Sequence, residues 1–208
     1  MKKLLVIVFA SFLIFGIAGV AAANLITNGD FQTGDLTGWT SQDASAVEHP
    51  DDSGNWIALL DDNNSSGDAW IKQGLYIENS GVYNISFDWT FAGVDCSWRD
   101  DDFDAFFKFL ESDHIFATRL NLVSIDSPYG EYFMHNKSFS ADYYLDVRDP
   151  WLLDNNAWIT FNLDEARGWS TDSVVGLDNI VLSAVPEPAT LLLLGFGLLG
   201  LVGLRRKE

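Results

Sequence analysis

Residues 81–91 read GVYNISFDWTF, and this stretch predicts the fold class. Its large apolar side chains fall on one face of an extended chain: Tyr83, Ile85, Phe87, Trp89 and Phe91. The residues between them are mostly polar: Asn84, Ser86, Asp88 and Thr90. A period of two is the pattern of a strand with one side in a core and one side toward solvent. We therefore predict an antiparallel β-strand here, packed over a hydrophobic core.

Seven more segments have a strand-like composition, and turn-rich sequence separates them. They are Asn55–Leu60, Ala69–Ile77, Phe103–Glu111, Ile115–Leu122, Ser138–Val147, Ala157–Leu163 and Val174–Ser183. No amphipathic helix of useful length interrupts them. Many short strands joined by polar turns predict an all-β domain, an antiparallel sandwich or jelly roll. Within Phe103–Glu111, Phe106 and Leu110 face away from the other apolar residues. That strand is therefore either covered on both sides or forms one wall of a groove.

The two ends of this region carry further motifs. Residues 24–31 read NLITNGDF and are followed by Gly38-Trp39, and residues 176–180 read GLDNI. These motifs resemble the opening and the closing strand of galactose-binding-like jelly rolls, which include several families of carbohydrate-binding modules. The resemblance implies a jelly roll in which the first and last segments lie side by side.

The same resemblance implies a structural calcium ion between those two segments. The matching positions are Asp30, Gln32 and Asp178, and oxygen ligands of this kind suit Ca²⁺. Gln32 stands where relatives commonly have glutamate, so a negative charge is missing and the affinity should be lower. The alternative is that Asp30 and Asp178 only form turn hydrogen bonds.

Tryptophans are the residues here that point most directly to carbohydrate. Trp98, Trp151 and Trp169 lie in predicted loops beside polar residues, and Asp100 follows Trp98 closely. A flat aromatic ring with a carboxylate nearby can stack on a sugar and accept its hydroxyl hydrogen bonds. We predict these four residues as glycan ligands, with a solvated acidic loop as the alternative around Asp100. The other tryptophans are assigned to the core: Trp39, Trp56, Trp70, Trp89 and Trp158.

Charge and composition exclude some functions. Asn24–Val185 contains seven of the 12 basic residues and 28 of the 30 acidic residues. So acidic a surface repels phosphate backbones, and we expect no nucleic-acid partner. The three histidines have no His-Glu-x-x-His spacing, no Gly-x-Ser-x-Gly motif is present, and Cys96 has no local signature of a nucleophile. We predict that the protein is not an enzyme.

Both ends of the chain have targeting sequences. Lys2 and Lys3 precede an apolar run and a small-residue cleavage site that ends at Ala23. This is the pattern of a secretory signal peptide, residues 1–23, removed by signal peptidase. A β-sandwich domain is predicted for residues 24–184. Residues 185–208 then contain a short uncharged apolar run, predicted to be a single hydrophobic helix, that a basic end closes.

The terminal segment has the order of a known sorting signal. Pro186, Glu187 and Pro188 precede the apolar run, and the run ends in three cations: Arg205, Arg206 and Lys207. The segment resembles the PEP-CTERM sorting signal of secreted proteins from Gram-negative, biofilm-forming bacteria. The resemblance implies processing by an exosortase near the Pro-Glu-Pro triplet, after transient insertion in the inner membrane. It also implies delivery to the cell envelope or the extracellular matrix.

These observations lead to one functional hypothesis and two alternatives. The hypothesis is a secreted, non-catalytic envelope or matrix protein that associates with exopolysaccharide. The first alternative is a carbohydrate-binding module that recognises a glycan through the loop tryptophans. The second is an exopolysaccharide hydrolase, because paired carboxylates for glycoside cleavage are easily found among so many acidic residues.

Overall fold

The architecture comes from a computed structural model that describes most of the predicted domain. The described residues are 23–61, 68–94, 101–111, 117–128, 132–147, 155–164 and 173–185. They form ten strands and no helix. The region Asn24–Ser183 is one compact unit. The all-β prediction is therefore confirmed for the described part of the chain.

The strands form two antiparallel sheets. Five belong to sheet A: β1 (Thr40–Gln42), β4 (Ala69–Leu75), β6 (Asp102–Leu110), β7 (Ala117–Asp126) and β9 (Ala157–Asp164). Five belong to sheet B: β2 (Ala44–Glu48), β3 (Trp56–Leu60), β5 (Gly81–Val94), β8 (Tyr132–Leu145) and β10 (Val174–Ala184). The order is β1-β4-β9-β6-β7 in sheet A and β2-β3-β10-β5-β8 in sheet B.

The strand order is that of a jelly roll. From β3 to β10 the chain crosses between the sheets at every connection except the β6–β7 hairpin. The last strand, β10, lies between β3 and β5, and β9 lies between β4 and β6. Eight strands wound in this way into two sheets define the jelly-roll topology. β1 and β2 extend the two sheets at the edges next to β4 and β3.

Aromatic side chains from both sheets fill the space between them. Phe87 of β5 packs edge-on against Phe161 of β9, with ring centroids 5.0 Å apart. Trp89 of β5 lies 5.3 Å from Phe103 of β6. The alternation in residues 81–91 is confirmed, because all five of its large apolar side chains are buried. Such edge and tilted ring contacts add to the stabilisation that burial of the rings gives.

The structure confirms the predicted strands, adds two short ones and extends one at its start. The short polar strands β1 and β2 were not predicted, and β8 begins at Tyr132, six residues before the predicted start. β8 is an edge strand, so its outward side chains are exposed and its sequence carries a weaker apolar pattern.

Two tryptophans are placed differently from the prediction. Trp39 and Trp89 are buried, and Trp56 packs against the core from a partly exposed position. Trp70 and Trp158 are not core residues, because both lie on the outward side of sheet A and are partly exposed. Phe106 also points outward and is half-buried, on the side of β6 opposite the buried Phe107.

The two targeting segments lie outside the described residues. The predicted signal peptide and the sorting residues from Pro186 to Lys207 are therefore known from sequence alone. Among the described residues, no helix is long and apolar enough to cross a membrane.

Candidate functional site

The opening motif is held against the closing strand, as its resemblance implied. The Leu25 amide donates to the Leu182 carbonyl at 2.8 Å, and the Ile180 amide donates to the Gly29 carbonyl at 2.9 Å. A Cβ at Gly29 would lie 2.1 Å from the Ile180 carbonyl oxygen. Only glycine permits this approach, so the motif residue fixes the junction of the two segments.

The three predicted calcium ligands belong to this junction. The side-chain Nε2 of Gln32 donates to the main-chain carbonyl of Asp30 at 2.9 Å and to Asn55 Oδ1 at 2.5 Å. The Asn55 Nδ2 group donates to Asp178 Oδ2 at 3.3 Å. Asn55 therefore joins Gln32 to Asp178, and Gln32 also donates to the main-chain carbonyl of Asp30. The three predicted ligands thus belong to one hydrogen-bonded network.

Acidic side chains lie close together at the junction. Burial raises the pKa of Asp178, and the negative charges of Asp88 and Asp30 raise it further, whereas hydrogen bonds from Asn179 and Asn55 oppose the rise. The oxygen atoms of the network are the hard donors that Ca²⁺ binds. As the side chains lie, Gln32 presents its Nε2 to these oxygens rather than its Oε1. Rotation of the amide by half a turn exchanges the two atoms. As placed, Gln32 donates hydrogen bonds to these oxygens, so calcium at this junction stays a prediction.

The outward side of sheet A brings aromatic and basic side chains together. Strand register places Trp70 and Lys72 on β4, Trp158 on β9, Phe106 and Lys108 on β6, and Arg119 on β7. Directly opposed residues of neighbouring strands share a face, so these six side chains form one surface. We call these six residues the aromatic–basic face.

Polar side chains lie between the rings of this face. In one row across the strands, Lys72, Thr160, Phe106 and Asn121 are directly opposed in turn. Thr160 lies at the centre of the row and is only 8% exposed. Another row contains Asn162, next to Trp70. Rings flanked by hydroxyl and amide groups give a surface both apolar contact and hydrogen-bonding capacity.

Cations contact the rings of the face directly. The Arg119 guanidinium carbon lies 3.9 Å from the centroid of Phe106, and Lys108 Nζ lies 5.1 Å from it. Lys72 Nζ lies 6.0 Å from the Trp70 ring. Arg119 also donates from Nε to Asn121 Oδ1 at 2.7 Å. Cation–π contacts of this kind limit the rotamers of long side chains and hold their charges over the sheet.

One end of sheet A carries four aspartates, which we call the aspartate row: Asp68, Asp164, Asp102 and Asp126. Asp102 is directly opposed to Asp164 on one side and to Asp126 on the other. Burial first, and then the nearby carboxylates of Asp126, Asp164 and Asp104, raise the pKa of Asp102 to about 6. Burial and Asp164 also raise the pKa of Asp68. In the described ranges, no cluster of His, Cys, Asp and Glu has the arrangement of a metal site.

The loop residues predicted to bind glycan are not described. Trp98, Asp100, Trp151 and Trp169 all lie outside the described residues, so their roles stay predictions. Sequence reasoning missed the aromatic–basic face, because it assigned Trp70 and Trp158 to the core. The alternation of Trp70 and Lys72 with the apolar Ala69 and Ile71 is the signal that pointed to an outward face.

The C-terminus carries a known sorting signal. The PEP-CTERM protein-sorting motif matches residues 184–207. This range contains the Pro-Glu-Pro triplet and the basic residues that the sequence singled out. The motif marks a bacterial protein that is sorted by an exosortase and is secreted or associated with the envelope.

Comparison with curated protein sequences finds no match to this chain. Solved structures give matches at low identity. The CBM22-2 xylan-binding domain of Paenibacillus barcinonensis Xyn10C is 12% identical, with a TM-score of 0.47, and the match covers 76% of this chain and 98% of that one. The N-terminal cellulose-binding domain of Cellulomonas fimi β-1,4-glucanase C is 15% identical, with a TM-score of 0.44 and coverages of 79% and 99%.

A longer protein also matches. This is the Clostridium thermocellum endo-1,4-β-D-xylanase 10B, solved as its CBM22-1 and GH10 modules with xylohexaose. It is 14% identical with a TM-score of 0.41, and the match covers 74% of this chain but only 27% of that one. The jelly-roll assignment for the present chain rests on its own strand order.

Proposed function

We propose that the protein is a secreted, non-catalytic glycan-binding protein of the bacterial envelope or extracellular matrix. The aromatic–basic face of sheet A is its binding surface, and the PEP-CTERM motif provides its delivery. This proposal joins the envelope hypothesis with its first alternative, and it moves the main contacts from loops to a sheet.

One observation carries the proposal: three aromatic rings lie on a single outward sheet face among polar side chains. Trp70, Phe106 and Trp158 are all half-buried rather than core residues. An aromatic ring held with one side toward solvent offers the apolar surface on which the C–H groups of a sugar pack. Asn162 and Asn121 lie within the same rows and supply partners for sugar hydroxyls. This is the combination of apolar platform and placed polar groups that small-molecule recognition requires.

Substitution of the two tryptophans tests whether the aromatic–basic face binds polysaccharide. Trp158→Ala and Trp70→Ala should each weaken retention in gels that contain a bound polysaccharide by about tenfold or more, since each removes about 1.4 kcal/mol or more of ring contact. Trp56→Ala is the matched control, because Trp56 is also a partly exposed tryptophan but lies in sheet B. Equal losses in all three variants, or in none, would remove the face from the proposal.

The predicted loop residues form a separate arm of the same test. A variant with Trp98, Trp151 and Trp169 all changed to Ala separates loop binding from sheet binding. Loss of retention in this variant alone assigns recognition to the loops. Loss in the sheet variants alone assigns it to the aromatic–basic face. Release of reducing sugar from any retained polysaccharide would instead support the hydrolase alternative.

Delivery follows from the terminal motif. After export, the hydrophobic segment holds the chain in the inner membrane of a Gram-negative cell until an exosortase cleaves near Pro186–Pro188. The released body then associates with exopolysaccharide outside the cell.

Calcium is part of the proposal as a structural ion at the opening–closing junction. Asp30 and Asp178 would supply carboxylate oxygens, and Gln32 would supply Oε1 after its amide turns. The ion would neutralise the acidic side chains that raise the pKa of Asp178 and would join the first and last segments of the sandwich.

A further inference from the structure

The aromatic–basic face gathers the positive charge of a strongly acidic domain. Only four Lys and Arg residues belong to the described part of the chain: Lys72, Lys108, Arg119 and Lys137. The first three lie on the outward side of sheet A, and Lys137 is on β8 of sheet B. Three of the four described cations therefore lie on the same side of one sheet.

Most of this positive charge is free for a ligand. Arg119 lies 3.7 Å from Asp104, and their side chains are 43% and 34% exposed, so this ion pair is well solvated and weak. Among the described residues, no carboxylate forms an ion pair with Lys72 or Lys108. The two ammonium groups and the outer side of the guanidinium therefore face solvent with their charge uncompensated.

The charges are arranged across the strands rather than along them. Lys72 lies on β4 and Arg119 on β7, three strand spacings away, which is about 14 Å at about 4.8 Å per spacing. Lys108 lies between them on β6. This span exceeds one sugar ring, so it suits a chain that crosses the strands. The aspartate row lies on the same side of the sheet, six residues along β6 from Lys108, or about 20 Å. Its negative charge repels an anionic chain beyond Trp70, which is two residues from Asp68, and so limits the chain to the part of the face that carries the cations.

We infer that the ligand of the aromatic–basic face is a polysaccharide whose sugars carry carboxylates, with its rings on Trp70 and Trp158 and its carboxylates on Lys72, Lys108 and Arg119. This inference rests on the proposed function, since it names the class of glycan for the same face. A neutral glycan would leave Lys72 and Lys108 without ion-pair partners among the described residues, and Arg119 with only its solvated pair to Asp104. An anionic glycan pairs with these cations at the aromatic–basic face, whereas the acidic remainder of the domain would repel it.

Matched polysaccharides separate the role of charge from that of the sugar. The probes are polygalacturonate, alginate and hyaluronan, each in its acid form and after methyl esterification, with neutral xylan and β-glucan as further probes. The full chain is used in a non-ionic detergent without added divalent cations, so that free divalent ions do not bridge the protein and the polysaccharide. We expect at least one acid form to bind at least about tenfold more tightly than its ester, because its carboxylates can pair with three cations at once; tenfold corresponds to about 1.4 kcal/mol in total. The affinity for that form should fall as NaCl rises from about 50 to 500 mM.

Variants that remove one positive charge each test which cations bind the carboxylates of the polysaccharide. Lys108→Gln and Arg119→Gln should each reduce binding of the acid form by about fivefold or more, and by a larger factor than they reduce binding of its ester. Lys137→Gln is the control, since it removes the same charge from the other sheet and should change neither. Circular dichroism and thermal melting show whether each variant is folded. The comparison of acid and ester with the unaltered protein needs no variant.

The outcomes distinguish the inference from the proposed function. Equal binding of acid and ester, or binding of the neutral probes alone, overturns the inference and leaves the proposed function standing. Binding of no probe overturns both. An equal loss of acid binding in Lys137→Gln and in the two sheet A variants overturns the assignment of the charges to this face.

Discussion

The aspartate row supplies the sharpest test of the electrostatics of this fold. Asp102 lies in a strand between Asp126 and Asp164, and its pKa is raised from 3.8 to about 6. In the unfolded chain the same carboxyl has its ordinary pKa, so the folded form holds the proton more tightly. Asp102 therefore stabilises the fold at pH below 3.8, and this contribution is lost as pH rises through about 6. At pH 7 the ionised carboxylates of the aspartate row repel one another.

The size of the effect follows from the shift. About 2 pKa units correspond to about 3 kcal/mol at about 1.36 kcal/mol per unit. Asp102 keeps some contact with solvent, and screening reduces that upper bound to about 1 kcal/mol. Asp102→Asn removes the ionised group and keeps its size. We expect the variant to be more stable than the wild type by about 1 kcal/mol at pH 7.5, or about 2–4 °C in Tm. At pH 4.5 the two should be nearly equal.

Urea unfolding and thermal melting at pH 4.5, 6.0 and 7.5 measure this difference. Asp52→Asn is the control, because Asp52 lies in an exposed turn and its loss removes the same charge from a protein of net charge −18. Subtraction of the control leaves the local effect of the row. An equal gain in both variants, or a gain for Asp102→Asn that does not change with pH, would refute the reasoning.

Three further predictions concern the junction and the terminus. Gly29→Ala should reduce the free energy of unfolding by about 2 kcal/mol or more, because its Cβ would overlap the Ile180 carbonyl, whereas Gly81→Ala has no atom closer than 3.9 Å and should cost about 1 kcal/mol or less. Titration with CaCl₂ should raise Tm, and Gln32→Glu should increase the shift by adding a charged ligand; no shift in either protein removes the calcium proposal. The intact mass of the protein from its native host should show a C-terminus near Pro186–Pro188, and recovery of the full chain outside the cell would contradict processing.

The fold class was predictable because its signal is local. Alternation over residues 81–91 requires only that neighbouring side chains point to opposite sides of a strand, and it correctly identified the buried face of β5. The opening motif at Gly29 was equally readable, since its glycine is needed for close contact with β10. The start of β8 was missed because an edge strand needs few apolar residues on its exposed side.

The candidate site was predicted less well for the same physical reason. Trp70 and Trp158 have strand-like neighbours, and a local pattern shows that two faces exist without showing which one meets the other sheet. The calcium ligands stay a prediction from the motif, and Asn55, which joins Gln32 to Asp178, was not among the predicted residues.

By itself the sequence determined that this is an exported β protein with an acidic body and a sorting signal at its C-terminus, because composition, alternation and motifs depend on residues close together in the chain. Only the tertiary structure decided that Lys72, Lys108, Arg119 and Trp158 lie on one surface. These residues belong to four strands, and their neighbours are set by the cross-strand register. Register depends on how all the strands of the sheet pair over the core, and no single segment of sequence carries that information.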